Sequence, residues 1–130
     1  MSPDAKYLFT GSSDKTARMW EVQTGKEVKK FEGHSSYIQA ITLSPDGKSL
    51  FTGSDDQTAR MWDVETGKKV KKFEGHSEGI NAITVSSDGK SLFTGSYKTA
   101  CMWDIHTGKE FKKFEGHFNP LYAITVSTFQ

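Results

Sequence analysis

The chain has a single cysteine, Cys101, among its 130 residues, which excludes a disulfide framework and leaves secretion unsupported. A reducing, cytoplasmic setting is therefore expected. No apolar stretch is long enough to cross a membrane, and the opening MSPDAKYLFT lacks the apolar core of a signal peptide. An excess of one charge is also lacking. With 17 basic and 16 acidic side chains, the chain has no broad positive field of the kind nucleic-acid binders carry. Neither nucleic acid nor membrane is expected as a partner. Nor does any stretch carry the apolar period of a helix.

What the chain does have is a repeat. The segment Lys48–Val85, KSLFTGSDDQTARMWDVETGKKVKKFEGHSEGINAITV, recurs before and after itself with few substitutions. Its centre, Trp62, is matched by Trp20 and Trp103, about 42 and about 41 residues away, a spacing that marks a repeat array. Within each unit, runs rich in Ile, Val, Thr and Phe alternate with Gly, Asp and Ser clusters, as in short antiparallel strands joined by tight turns. Strands are expected over Lys6–Gly11, Thr16–Val22, Glu27–Glu32, Tyr37–Leu43, Ile80–Val85 and Leu121–Val126. Ser44-Pro45-Asp46-Gly47 is a strong turn, because Pro presets one turn position and Gly accepts a positive φ. Apolar residues fall on both parities of the strands, so each sheet must be covered on both faces.

GSDDQTARMWD followed by KKFEGH and SSDG resembles the WD-repeat family of β-propellers, and the resemblance covers essentially the whole chain. It implies an all-β fold of four-stranded antiparallel blades, in one array over 1–130 with three blades per chain. Blade one would span 6–32, blade two 37–74 and blade three 80–115. The strand at 121–126 would complete blade one of a neighbouring chain, closing the ring by homo-oligomerisation. Three chains with nine blades are preferred to two with six, because Tyr122 suits a wider channel than its counterparts Gln39 and Asn81. Three open-ended blades would leave Val28, Phe31, Phe111 and Phe114 unprotected.

The resemblance also implies a buried hydrogen-bonded cluster in each blade. In the middle blade it comprises His34, Thr52, Asp56 and Trp62. The chemistry suits the role: an indole donates, a hydroxyl both donates and accepts, and an imidazole links hydroxyl to carboxylate. The third unit reads GSYKTACMWD, one residue short, so His76, Thr94 and Trp103 remain without an Asp, and Tyr97 or water must satisfy His76. His117 of one chain is expected to meet Thr10, Asp14 and Trp20 of its neighbour. The first unit ends in Trp20-Glu21 where the others end in Trp-Asp.

Thr52, His34 and Asp56 could also be read as a nucleophilic triad. A site repeated in every blade and backed by an indole has no room for substrate, so the structural reading is preferred and no enzyme is expected. Metal binding by His34, His76 and His117 fares no better, since one His per blade lies too far from the next. No cofactor is expected. Cys101, at the position of Arg18 and Arg60, reads as a small packed side chain. The pairs Lys29-Lys30, Lys71-Lys72 and Lys112-Lys113 read as protection of an outer edge strand.

The units differ most in the loops after Gly-His and in one adjoining turn. Tyr37, Gln39, Glu78, Asn81, Tyr97, Phe118, Asn119 and Tyr122 are thereby marked as a partner-binding face for a peptide or protein. The expected function is a self-assembling protein-interaction scaffold. The alternative is a structural ring, or a recently amplified repeat fragment, with no dedicated ligand.

Overall fold

The computed structural model describes residues 6–96 and 99–115. They form three antiparallel sheets. The first comprises β1 (Tyr7–Gly11), β2 (Ala17–Glu21) and β3 (Glu27–Phe31), in that order. The second runs β4 (Ile38–Leu43), β5 (Ser49–Ser54), β6 (Thr58–Asp63) and β7 (Lys69–Glu74). The third contains β8 (Ala82–Val85), β9 (Ser91–Gly95), β10 (Thr99–Asp104) and β11 (Glu110–Glu115), ordered from β8 to β11. Each sheet is a meander, as expected when consecutive strands are joined by turns too short to cross over. The expected strand Leu121–Val126 and the turn at Ser2–Ala5 lie outside the described residues.

Turn chemistry fixes the hairpins. At Ser44–Gly47 the Gly47 N–H returns to the Ser44 carbonyl at 2.9 Å with Gly47 at φ 74. The Asp46 carboxylate accepts from the Ser44 hydroxyl and the Lys48 N–H. Ser86, Asp88 and Lys90 repeat these bonds. Register repeats as well: Thr10 faces Arg18, Thr52 faces Arg60, and Thr94 faces Cys101. A bulge falls immediately before each Trp, between Met19 and Trp20, Met61 and Trp62, and Met102 and Trp103. The extra residue in each case, Val28, Val70 or Phe111, lies on the last strand of the sheet, and it is that strand which bends.

The sheets stack face to face. One core joins Ala17, Met19 and Phe31 of the first sheet to Ile38, Leu50 and Trp62. The other joins Phe51, Ala59 and Phe73 of the second sheet to Leu92 and Trp103 of the third. At each junction a Phe of the last strand meets the next sheet's Trp edge to face, Phe31 on Trp62 at 5.9 Å and Phe73 on Trp103 at 5.8 Å. Such pairs add about 0.5–1.5 kcal/mol beyond their buried area. The expectation that Phe31 stands unprotected is thus overturned: its side chain points toward the second sheet and is 0% exposed. Val28, Phe111 and Phe114, by contrast, are exposed at 48%, 69% and 46%.

The sheets approach closely at two glycines. A Cβ built on Gly11 would lie 2.6 Å from Ile38 Cγ2, and one on Gly53 would lie 2.6 Å from Ile80 Cγ2. No methyl fits there without moving the next sheet. Gly53→Ala is therefore expected to destabilise the protein by about 1–3 kcal/mol, the usual cost of overpacking. A denaturation midpoint equal to wild type would show that the sheets are not packed this closely.

Candidate functional site

The middle cluster is assembled from four local structures. β5 carries Thr52 into the interior, and β6 carries Trp62, whose indole is directed at it. The loop after β3 brings His34, and the turn between β5 and β6 brings Asp56. Trp62 Nε1 donates to Thr52 Oγ1 at 2.9 Å, and Thr52 Oγ1 lies 2.6 Å from His34 Nε2. His34 Nδ1 lies 2.8 Å from Asp56 Oδ2. With the indole fixed as a donor, the consistent assignment has the hydroxyl donating to Nε2 and Nδ1–H donating to the carboxylate. Gly33 permits the approach: a Cβ there would lie 3.2 Å from the Trp62 ring and 2.7 Å from Arg60 Nη1, at φ 151.

Burial by itself would raise the Asp56 carboxyl. The hydrogen bonds from Thr58, His34 and the Ser35 N–H overcome that and hold it at about 2. Burial lowers His34, and the bond and charge of Asp56 offset this only in part. The imidazole is therefore neutral at pH 7 and the carboxylate ionised. These residues have the hydroxyl–imidazole–carboxylate order of a nucleophilic triad. Yet Thr52 is 0% exposed and its oxygen already accepts from the indole, so no substrate atom can reach it.

The other two clusters are partial. In the third sheet Trp103 Nε1 donates to Thr94 Oγ1 at 2.8 Å, and His76 Nε2 lies 2.6 Å from the same oxygen. Among the described residues no carboxylate takes the place of Asp56. Among the described residues His76 Nδ1 has no hydrogen-bond partner, and burial, aided by Lys113, lowers this imidazole to about 4. Tyr97 lies outside the described residues. In the first sheet Trp20 Nε1 donates to Thr10 Oγ1 at 2.8 Å. Asp14 is occupied by the Thr16 hydroxyl at 2.6 Å and by Arg18 at 3.0 Å. His117 also lies outside the described residues.

Several supporting residues escaped the sequence reading. Thr58 donates both its N–H and its hydroxyl to Asp56. Ser54 Oγ donates to the Tyr37 carbonyl at 2.8 Å and accepts from the Asp56 N–H. Both residues recur in each unit, Thr58 as the Thr of the Thr-Ala-Arg or Thr-Ala-Cys triplet, and that recurrence was the available signal. The lysines do more than guard an edge: Lys29 Nζ donates to the Glu65 carbonyl and Lys71 Nζ to the His106 carbonyl, each on the next sheet's hairpin. Cys101 is buried, and burial together with Glu110 pushes its thiol up to about 11. That leaves it a thiol, not a nucleophilic thiolate. Among the described residues no three His, Cys, Asp or Glu side chains gather as metal ligands.

At one end of the sheets, the loops after Gly33-His34 and Gly75-His76 are each tied to the turn of the preceding sheet. Ile38 N–H donates to the Ser12 carbonyl at 3.0 Å and Ile80 N–H to the Ser54 carbonyl at 2.9 Å. Gln39 Nε2 donates to Asp55 Oδ1 at 3.1 Å. Tyr37, Gln39 and Glu78 are exposed there, and Asn81 is half-buried with its Oδ1 lacking a partner among the described residues. Tyr97, Phe118, Asn119 and Tyr122 lie outside the described residues.

Meander sheets stacked around a Trp–Thr–His cluster define a repeat protein whose sheets are the blades of a propeller-like fold. The chain belongs to the WD domain, G-beta repeat family, which matches residues 1–21, 25–63 and 67–104. It is similar to autophagy-related protein 16 of Arabidopsis thaliana, 39% identical over 34% of this chain and 9% of that protein. It is also similar to WD repeat-containing protein 86 of Homo sapiens, 45% identical over 29% of this chain and 10% of that protein. Coatomer subunit beta'-1 of Arabidopsis thaliana is 44% identical over 30% of this chain and 4% of that protein. The matches thus span a tenth or less of these relatives. Among the described residues no helix is long and apolar enough to cross a membrane.

Trp62→Ala is expected to cost about 3–5 kcal/mol, because it opens a cavity and strands Thr52. Thr52→Val should cost less. His34→Ala should cost about 1 kcal/mol more than His76→Ala, since it also removes a hydrogen bond from the buried Asp56 carboxylate. Urea denaturation of the four variants checks the order, and equal costs for the two histidines would contradict it.

The histidines also set a pH dependence. Their folded values lie below 6.5, so the unfolded chain binds more protons. Stability is complete above pH 6.5 and declines as the pH falls, for His76 until about pH 4. Asp56 adds a second loss as the pH falls from 3.8 toward 2. His76→Gln should flatten the decline between pH 6.5 and 4. An unchanged slope would show that His76 does not titrate on unfolding.

Proposed function

We propose that the chain is a non-enzymatic protein-interaction scaffold that binds a peptide or protein at the end of the sheets bearing Tyr37, Gln39, Glu78 and Asn81. Tyr97, Phe118, Asn119 and Tyr122 contribute from the corresponding loops and turns. The observation that carries this reading is the pair of bonds from Ile38 and Ile80 to the preceding sheets' turns. They hold variable, exposed side chains on a rigid base, which lowers the ordering cost of binding. Tyr37, 49% exposed, supplies an aromatic anchor. Family membership supports the class and names no ligand.

Further copies of the chain complete the ring, three copies giving nine blades in preference to two giving six. Light scattering at micromolar concentration is expected to return a three-chain mass. A two-chain mass would overturn the count, and a single-chain mass the ring. In a peptide-library screen the wild type should select ligands that the triple variant Tyr37→Ala, Phe118→Ala, Tyr122→Ala does not bind, with denaturation midpoint and mass unchanged. If wild type and variant select the same peptides, or neither selects any, the ligand-binding face is refuted and a structural ring without a dedicated ligand is the better reading.

A further inference from the structure

We infer that the groove between the second and third sheets, at the end away from the His-bearing loops, seats a short extended peptide carrying an apolar side chain and, three positions along, an arginine or lysine. This goes beyond the proposed binding face, because no residue of that face lines the groove.

Turns of both sheets build the groove. The β4–β5 and β8–β9 turns and the β10–β11 hairpin all reverse the chain at this end. A cleft of about 520 Å³ has Met61, Val70, Lys71, Lys90, Ile105 and His106 in its lining. A second, of about 250 Å³, has Pro45, Asp46, Phe51 and Asp88. Both are also lined by Met61, Gly89 and Ile105, so they form one groove. The larger part alone has the volume of an ordinary ligand site, about 300–1,000 Å³.

The outer part is an apolar seat. Met61 is half-buried and Val70 is 52% exposed, beside Ile105. The flexible thioether of Met61 moulds to whatever side chain is laid on it. Lys71 is committed to the His106 carbonyl at 2.6 Å, and Asp104 to the Thr107 N–H at 3.1 Å. With Lys90 in the same wall, no negative charge is in excess there. The corresponding hairpin of the second sheet has Glu65 in the place of His106, an additional carboxylate that this groove lacks.

The inner part is acidic. Asp46 and Asp88 are exposed on two turns that touch, since a Cβ built on Gly89 would lie 3.8 Å from Pro45 Cδ. Each carboxylate spends Oδ1 on its own turn. Among the described residues Oδ2 of neither accepts a hydrogen bond, and neither carboxylate closes an ion pair. The bonds from Ser44 and Lys48 hold Asp46 below the usual carboxylate range, those from Ser86 and Lys90 do the same for Asp88, and both are ionised. A guanidinium or ammonium is the group that complements two such carboxylates.

The span sets the spacing of the ligand. From β7 across β6 and β5 to the β4–β5 turn is about 10–14 Å at ordinary strand separation. Three to four extended residues cover about that length. A leucine resting on Met61 and Ile105 therefore places an arginine three positions away at Asp46 and Asp88.

The test uses a library of capped five-residue peptides, with binding read at the methionine methyl groups by NMR. The wild type should select peptides with an apolar and a basic residue three positions apart. Selected peptides should shift the Met61 methyl saturably and leave those of Met19 and Met102, the same position in the other sheets, in place. Asp46→Asn with Asp88→Asn, which keeps an oxygen for each turn, should weaken such a peptide about tenfold, and should not affect its norleucine-for-arginine analogue. Tyr37→Ala, at the other end of the sheets, should bind as wild type does. No Met61 shift with any peptide, equal shifts at all three methionines, selection of acidic peptides, or unchanged affinity in the double variant would each overturn the site. Loss of binding in Tyr37→Ala would also overturn it, by placing the peptide on the other face.

Discussion

The Thr52 hydroxyl is the atom on which the rest of the arrangement depends. A hydroxyl has one proton to give and can accept in return. Here the proton goes to His34 and the acceptor lone pair takes the Trp62 indole N–H. The indole is held at a fixed angle by this bond. Its ring then forms the wall on which Phe31 of the preceding sheet rests. A polar bond within one sheet thus orients the apolar contact between two. Were the hydroxyl unpaired, the buried imidazole and indole would each carry a desolvation cost of about 1–3 kcal/mol, enough to release the loop from the sheet.

The covalent repeat and the folded sheet are out of step. The family match over 25–63 takes in β3 of the first sheet and β4 to β6 of the second, and the match over 67–104 does the same one sheet later. Each unit of sequence therefore spans a junction, and chain connectivity itself holds neighbouring sheets together. Lys29 and Lys71 add a polar tie at the opposite end of the junction from the His-bearing loops. The junctions are rigid because each is fixed at an aromatic pair, a glycine contact and a lysine bond at once. Side chains that vary on such a base can change without disturbing the packing beneath them.

How much of this was legible depended on whether residue type alone dictated the partner. His34, Thr52, Asp56 and Trp62 could be grouped because their donors and acceptors match and their offsets recur, and the structure brings those four together. The strands were readable from β-branched runs and turn residues, although each of those described is a residue or two shorter than expected. Phe31 was misjudged because strand periodicity gives two faces without saying which one meets a neighbour. The reach of Lys29 and Lys71 was hidden for a related reason: their acceptors are backbone carbonyls, which leave no mark in sequence. Asp56 was visible as a cluster member, but not the Thr58 and Ser54 bonds that fix its turn.

The third unit shows what the cluster tolerates. His76 keeps its Thr94 bond and Trp103 its indole bond without any carboxylate, so the imidazole–hydroxyl–indole chain is the part that persists. Its strength is measured most directly by a double-mutant cycle on Thr52→Val and His34→Leu, read by urea denaturation. The account predicts a coupling of about 1–3 kcal/mol between the two sites, the size found for partners in one buried network. Additive costs, with coupling near zero, would show that the hydroxyl and the imidazole act independently and that apolar packing alone holds the loop to the sheet.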